Sequence, residues 1–204
     1  MGLDHWITVR IIQGLWLTVS AYWLIRAFNN KITVYRQSLP TQLSYVLPLL
    51  FAFMIISHGS WRNIPLLFVS PGQRIIGVVL CAGGIAFAIW ARTILGKNWS
   101  GIATVKKDHA LICRGPYAVV RHPIYTGLLL AYTGTALALW PTTGGLTMLV
   151  AFIMAAWIKS MQEEKLMQRQ FPEAYPAYRQ RVRGGIIPRY WVSISKQQGS
   201  SRQR

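Results

Sequence analysis

The sequence predicts an all-α integral membrane protein with about five transmembrane helices. Three observations carry that expectation. Of 204 residues, 52% are hydrophobic and only 13% charged, where soluble domains average about 25% charged. Several near-uncharged runs approach the roughly 20 residues needed to cross a bilayer, and one stretch, Ile124 to Ile158, has no formal charge at all. The 22 Lys and Arg, against five Asp and Glu, gather mostly in the connections, as topology and anionic lipid surfaces require. A net charge of +17 is otherwise a nucleic-acid signature; here the membrane accounts for it, and no nucleic-acid partner is expected. One domain is expected over residues 1–192, with a flexible basic tail at 193–204.

The first span is expected at about Trp6 to Ala27, with Arg10 and Arg26 near its ends, where long side chains snorkel. A polar link, Asn29 to Gln42, leads to a short second span, Leu43 to Ser57, that Pro48 is expected to kink. His58 to Ser70 is ambiguous between a re-entrant and an interfacial piece. The third span, Ile75 to Leu95, carries Gly77, Gly83 and Gly84, small residues that let helices approach closely. Lys97 to Pro123 is the one long polar connection, and connections of this length are usually functional or disordered. Within it, Ile102 to Val105 and Ala110 to Cys113 suggest a small β-hairpin. Tyr125 to Trp140 and Leu146 to Met161 are the fourth and fifth spans, joined by an uncharged turn at Pro141 to Gly145. A helix-like Ser160 to Gln170 opens the tail, and Tyr175, Tyr178 and Val182 share one face of a short amphipathic helix.

Charge then sets orientation. The long connection and the tail carry most of the Lys and Arg, which places both in the cytoplasm and, with five spans, the N-terminus outside. Asp4 and His5 precede the first span without a small-residue cleavage site after it, so no cleaved signal is expected. Cys81 and Cys113 form no disulfide framework, and the four His lack paired ligand spacing, so no metal site is expected.

The stretch with the most chemistry is Arg114 to Gly127, RGPYAVVRHPIYTG, at the lip of the charge-free fourth and fifth spans. Gly-Pro and His-Pro steps break regular structure, which presents Arg114, Tyr117, Arg121, His122 and Tyr125 together. Three of the five acids, Glu163, Glu164 and Glu173, follow the fifth span. In a hairpin, the end bearing Glu163 and Glu164 neighbours the start at His122. Lys159 lies four residues before Glu163, on the same helix face. An ionisable group inside a span costs roughly 2.5–3.5 kcal/mol on insertion scales, so a Lys and two Glu beside Arg121 and His122 suggest more than surface charges. The tyrosines and Trp99, Trp140 and Trp157 also suit an interfacial aromatic belt.

The order Gly115-Pro116-Tyr117, Arg121-His122-Pro123-Ile124-Tyr125-Thr126-Gly127, a charge-free hairpin, Glu163-Glu164, then Phe171, Tyr175 and Tyr178 resembles the isoprenylcysteine carboxyl methyltransferase and phospholipid methyltransferase group of membrane enzymes. The resemblance covers about residues 95–188, including Leu95-Gly96-Lys97-Asn98-Trp99-Ser100. It implies a helical membrane methyltransferase that binds S-adenosylmethionine at the cytosolic face, in a site built by the loop before the fourth span and the C-terminal helices. By the same analogy Tyr117, Arg121, His122, Pro123, Tyr125, Gly127, Glu163 and Glu164 hold the cofactor, and Lys159 and Glu163 are catalytic. Trp157, Tyr175 and Tyr178 would face a lipid substrate, expected to enter laterally near Trp157. The isoprenylcysteine enzymes carry Arg four residues before the catalytic Glu; Lys159 keeps that charge without the bidentate fork. Methylation of a phospholipid amine, an NADPH-dependent membrane reductase of related architecture and a non-catalytic lipid-binding protein are the alternatives. The oligomeric state is not legible in the chain.

Overall fold

The computed structural model describes residues 3–27, 33–36, 38–58, 69–99, 104–106, 110–139 and 143–189. Five long helices dominate: α1 (Leu3–Ala27), α2 (Leu39–His58), α3 (Pro71–Leu95), α4 (Pro123–Leu139) and α5 (Thr143–Gln170). A short α6 (Ala174–Arg181) follows, and two short strands, β1 (Thr33–Arg36) and β2 (Thr104–Lys106), pair antiparallel. Among the described residues, α3 with its terminal turn and α5 are long and apolar enough to cross a membrane, and α4 is a shorter apolar helix of 17 residues.

The helices alternate in direction. Arg92 near the end of α3 donates to the Arg26 carbonyl near the end of α1, at 3.2 Å. At the opposite end, Arg74 contacts His5 at 2.9 Å, and Gln73 donates to the Leu137 carbonyl at 3.3 Å. Gln162, late in α5, donates to Ser44 Oγ early in α2, at 2.8 Å. The ends of α1, α3 and α5 and the starts of α2 and α4 therefore share one end of the bundle.

A seam of small residues joins α3 to α4. Gly77, Cys81, Gly84, Ala88 and Ala91 of α3 are buried, as are Gly127, Ala131, Gly134 and Ala138 of α4. Both stripes repeat at four and three residues, which keeps them on one helix face. A Cβ on Gly84 would lie 2.5 Å from the Gly127 carbonyl oxygen, and one on Gly134 would lie 2.4 Å from the Cys81 nitrogen. The helices thus pack backbone against backbone. Gly83 plays no part, since a Cβ there meets nothing within 4 Å.

Other expectations are revised. The β-hairpin within the long connection does not form: β2 pairs with β1 in the α1–α2 link, not with 110–113. The described residues are therefore helical with one two-stranded ribbon rather than wholly α. The segment at Ser160 to Gln170 is no separate tail helix but the continuation of α5, and the second helix is longer than expected, Leu39–His58. Tyr175, Tyr178 and Val182 do share a face, buried against Leu111, Cys113, Met167 and Phe171. Most of the ambiguous His58–Ser70 piece, Trp140, Pro141 and the tail at 193–204 lie outside the described residues.

Candidate active site

Punctuation in the sequence builds the head of α4. Ser70 caps the start of α3; at its far end Gly96 takes φ 58° and stops the helix, and Gly115 at φ 59° turns the chain into a 3-10 turn over Gly115–Ala118. Such positive φ suits glycine. Tyr117 is buried by that turn, and its carbonyl accepts from the Tyr178 hydroxyl at 2.7 Å. Pro123 then occupies the first turn of α4, where its missing N–H costs nothing. The backbone of Arg121 and His122 donates to the carbonyls of Gly184 and Gly185, at 3.0 and 3.1 Å. Thr126 adds a hydroxyl contact to the Ile186 carbonyl. The segment after α6 is thereby strapped across the start of α4.

The late turns of α5 meet this head. Arg121 Nε and Nη2 each lie 2.8 Å from Glu164 Oε1, and Arg121 Nη1 donates to the carbonyls of Val182 and Arg183. His122 is bracketed by acids: Nε2 is 3.2 Å from Glu164 Oε1, and Nδ1 is 3.5 Å from Glu163 Oε2. An imidazole offers a proton at both nitrogens only when it is cationic. Burial pushes the His122 pKa down, but its hydrogen bonds to Glu163 and Glu164 and their charges outweigh this and raise it above 6.5. Tyr125 donates to Glu163 Oε1 at 2.7 Å and stacks on His122, centroids 5.7 Å apart. Lys159 Nζ lies 3.9 Å from the same oxygen, flanked by the rings of Tyr45 and Tyr125.

A cavity of about 290 Å³ opens beside these groups. Its charged lining comes from Arg121, His122, Lys159 and Glu163, on α4's approach and on α5. The rest is aromatic and aliphatic, with Trp23, Leu95, Trp99, Ile112 and Leu128 among it, together with the amide of Asn98. Tyr117, Tyr175 and Tyr178 also line it, and burial raises their hydroxyl pKa values well above the ordinary range, so they remain protonated.

Of the residues singled out from sequence, Tyr117, Arg121, His122, Tyr125, Lys159, Glu163, Tyr175 and Tyr178 come together around the cavity. The remaining four do not line it. Gly127 belongs to the α3 seam, Pro123 starts α4, and Glu164 turns to Arg121, His122 and Arg179. Trp157 is 62% exposed. The sequence assigned no role to Arg92, nor to Asn98, which figured only within the 95–100 stretch of the resemblance. Arg92 is only 1% exposed, donates to the Gly96 carbonyl at 2.6 Å and lies 4.4 Å over the Trp99 ring. Its signal was a charge placed before the end of an apolar run.

A junction of this kind has relatives. The phospholipid methyltransferase profile matches residues 73–174, half of the chain and nearly all of α3 to α5. The chain belongs to the phospholipid methyltransferase family. A probable protein-S-isoprenylcysteine O-methyltransferase of Oryza sativa subsp. indica is 28% identical over 177 residues, covering 82% of this chain and 88% of the relative. The protein-S-isoprenylcysteine O-methyltransferase of Schizosaccharomyces pombe is 34% identical over 97 residues, or 45% of this chain and 39% of its own length. The eukaryotic intramembrane Ras methyltransferase ICMT shares the fold, with a TM-score of 0.53 at 24% identity over 76% of this chain. The chain spans about half of that solved structure, 54%. In this family's member, then, the Arg-His-Pro-x-Tyr motif and the acidic pair meet in space.

Proposed function

We propose that this methyltransferase carries a methyl group from S-adenosylmethionine to the carboxylate of a prenylcysteine-like lipid at the cytosolic membrane face. The observation that supports it most is the gathering of His122, Tyr125, Lys159 and Glu163 at the charged side of a cavity whose other walls are apolar. The donor has the same asymmetry, a zwitterionic amino acid and a sulfonium at one end and a planar base at the other. A volume of about 290 Å³ is near the lower bound of roughly 300 Å³ for small-molecule pockets.

Bound there, S-adenosylmethionine supplies an electrophilic methyl on a positively charged sulfur. The protein's part is alignment, which can contribute roughly 7–11 kcal/mol. Glu163, with Tyr125, His122 and Tyr117 around it, holds the polar end of the donor. Glu164 acts from behind by fixing Arg121 and His122, and Gly127 by letting α4 close on α3. Lys159 positions the acceptor carboxylate, Tyr175 and Tyr178 close the aqueous side, and the lipid tail lies along Trp23, Leu95 and Leu128 rather than Trp157. All five long helices cross the bilayer in this reading, N-terminus outside and C-terminus cytoplasmic. The alternation of helix direction and the basic connections support that arrangement.

A carboxylate acceptor is favoured over an amine for a geometric reason. Glu163 Oε1 accepts from Tyr125 and faces Lys159, while Oε2 faces His122. It is engaged as an anion, and a carboxylate acceptor is already ionised and asks for no base. The family's description favours a phospholipid amine as the second reading, in which Glu163 must take a proton. Labelled methyl transfer by the purified protein, onto N-acetyl-S-farnesylcysteine and onto phosphatidylethanolamine between pH 6 and 9, decides. Transfer to the former with a flat profile near neutrality is expected. Transfer confined to the amine, rising as the amine deprotonates, would replace the reading.

A further inference from the structure

We infer that Asn98 is the residue that reads the donor's base, its amide oxygen accepting a hydrogen bond from the exocyclic amine of adenine. The inference rests on the S-adenosylmethionine reading and extends it to one atom. Asn98 Oδ1 is buried and has no hydrogen-bond partner among the described residues, yet Asn98 lines the cavity. Buried amide oxygens are nearly always paired, and leaving one unpaired is costly. An acceptor kept in this condition beside a cavity is set for a donor that arrives with the ligand.

Its surroundings say which donor. The four charged lining residues all come from the approach to α4 or from α5, whereas α1 and the end of α3 contribute Trp23, Leu95, Trp99 and Asn98. Trp23 and Trp99 meet edge to face, with centroids 6.4 Å apart, and both pack in a cluster with Leu95 and Ile112. A cationic ammonium gains more beside Glu163 than in this corner, which contributes no acid to the lining and whose Trp99 already carries the Arg92 guanidinium. A planar heteroaromatic bearing an N–H donor fits it, because its faces take apolar and indole contacts and its edge takes the amide.

The corner is also fixed in place. Arg92 donates to the Gly96 carbonyl on one flank of Asn98 and stacks on Trp99 on the other, and it is itself anchored to the Arg26 carbonyl of α1. Asn98 thus projects from a turn held at both sides, which lowers the ordering cost of reading a ligand.

The test is calorimetric titration of the full chain in nanodiscs with S-adenosylhomocysteine and with its 6-deamino analogue, in which purine replaces adenine. Wild type should bind the parent on the order of ten- to a hundredfold more tightly than the analogue, the range expected for a buried acceptor left unpaired. Asn98→Leu should bring the two within about twofold of each other. Asn98→Asp, which keeps an acceptor in place, should preserve the preference, and it decides the matter should the Leu variant not fold. Equal affinities in wild type, a wild-type gap surviving in Asn98→Leu, or a gap lost in Asn98→Asp would each overturn the inference while leaving the donor reading intact. Failure of wild type to bind either compound would overturn the donor reading itself.

Discussion

Helix α4 packs against both α3 and α5 and treats them differently. Toward α3 it presents glycine and alanine, and the backbones meet with no room for a single added carbon. Toward α5 it presents long side chains: Tyr132 against Phe152, Tyr125 to Glu163, and His122 to Glu163 and Glu164. The first contact fixes position, and the second holds two helices apart around a cavity. A membrane interior supplies little hydrophobic drive between helices, so close packing of small residues must do the positioning. Polar reach across the other face is then free to be used for chemistry.

The largest effect is expected at the seam between α3 and α4. Gly84→Val should destabilise the detergent-purified protein by several kcal/mol or prevent folding, because its branched side chain would have to displace the backbone of α4. A melting temperature unchanged from wild type would show that the seam is not tightly packed. At the other face, Glu163→Gln should lower methyl transfer on the order of a hundredfold or more while thermal stability changes little. Loss of folding instead would make Glu163 a structural residue.

Smaller effects separate the two acids and the imidazole between them. The pKa of His122 is raised in the folded state, so its contribution to stability is complete below about pH 6.5 and is lost as pH rises through the folded value. Melting temperature should therefore fall on the alkaline side of pH 6.5, and His122→Asn should remove that part of the decline. An identical pH profile in the variant would mean that His122 is not held as a cation. The smallest change is expected at Gly83→Ala, where the added methyl meets nothing within 4 Å. It should be neutral, or stabilise by up to about 1 kcal/mol through helix propensity. Destabilisation comparable to Gly84→Val would erase the distinction between the faces of α3.

Much of this was legible because it is periodic or local. Apolar runs gave the five long helices, and the hairpin argument brought His122 to Glu163. What stayed hidden depended on direction or on distant pairing. Trp157 lies six residues before Glu163; at about 100° per residue it points well away from the face bearing Lys159, Glu163, Leu166 and Met167. Glu164, one residue on, likewise turns toward Arg121 instead of the cavity. Lys159, Glu163 and Glu164 suggested that the fifth helix ends at the membrane. Helix propensity is indifferent to that boundary, and the charges find partners on α4's head and α6, so α5 continues to Gln170. The partner of β2 lies about seventy residues upstream, beyond any local pattern.

On this reading the α4–α5 junction is the methyl-donor site. Its most direct test is calorimetric binding of S-adenosylhomocysteine to wild type and to Glu163→Gln in nanodiscs, each first shown to be folded by its melting curve. Saturable one-to-one binding by wild type, weakened at least tenfold in the variant, is the expected result. Equal affinity in both proteins would place the donor elsewhere and contradict the account.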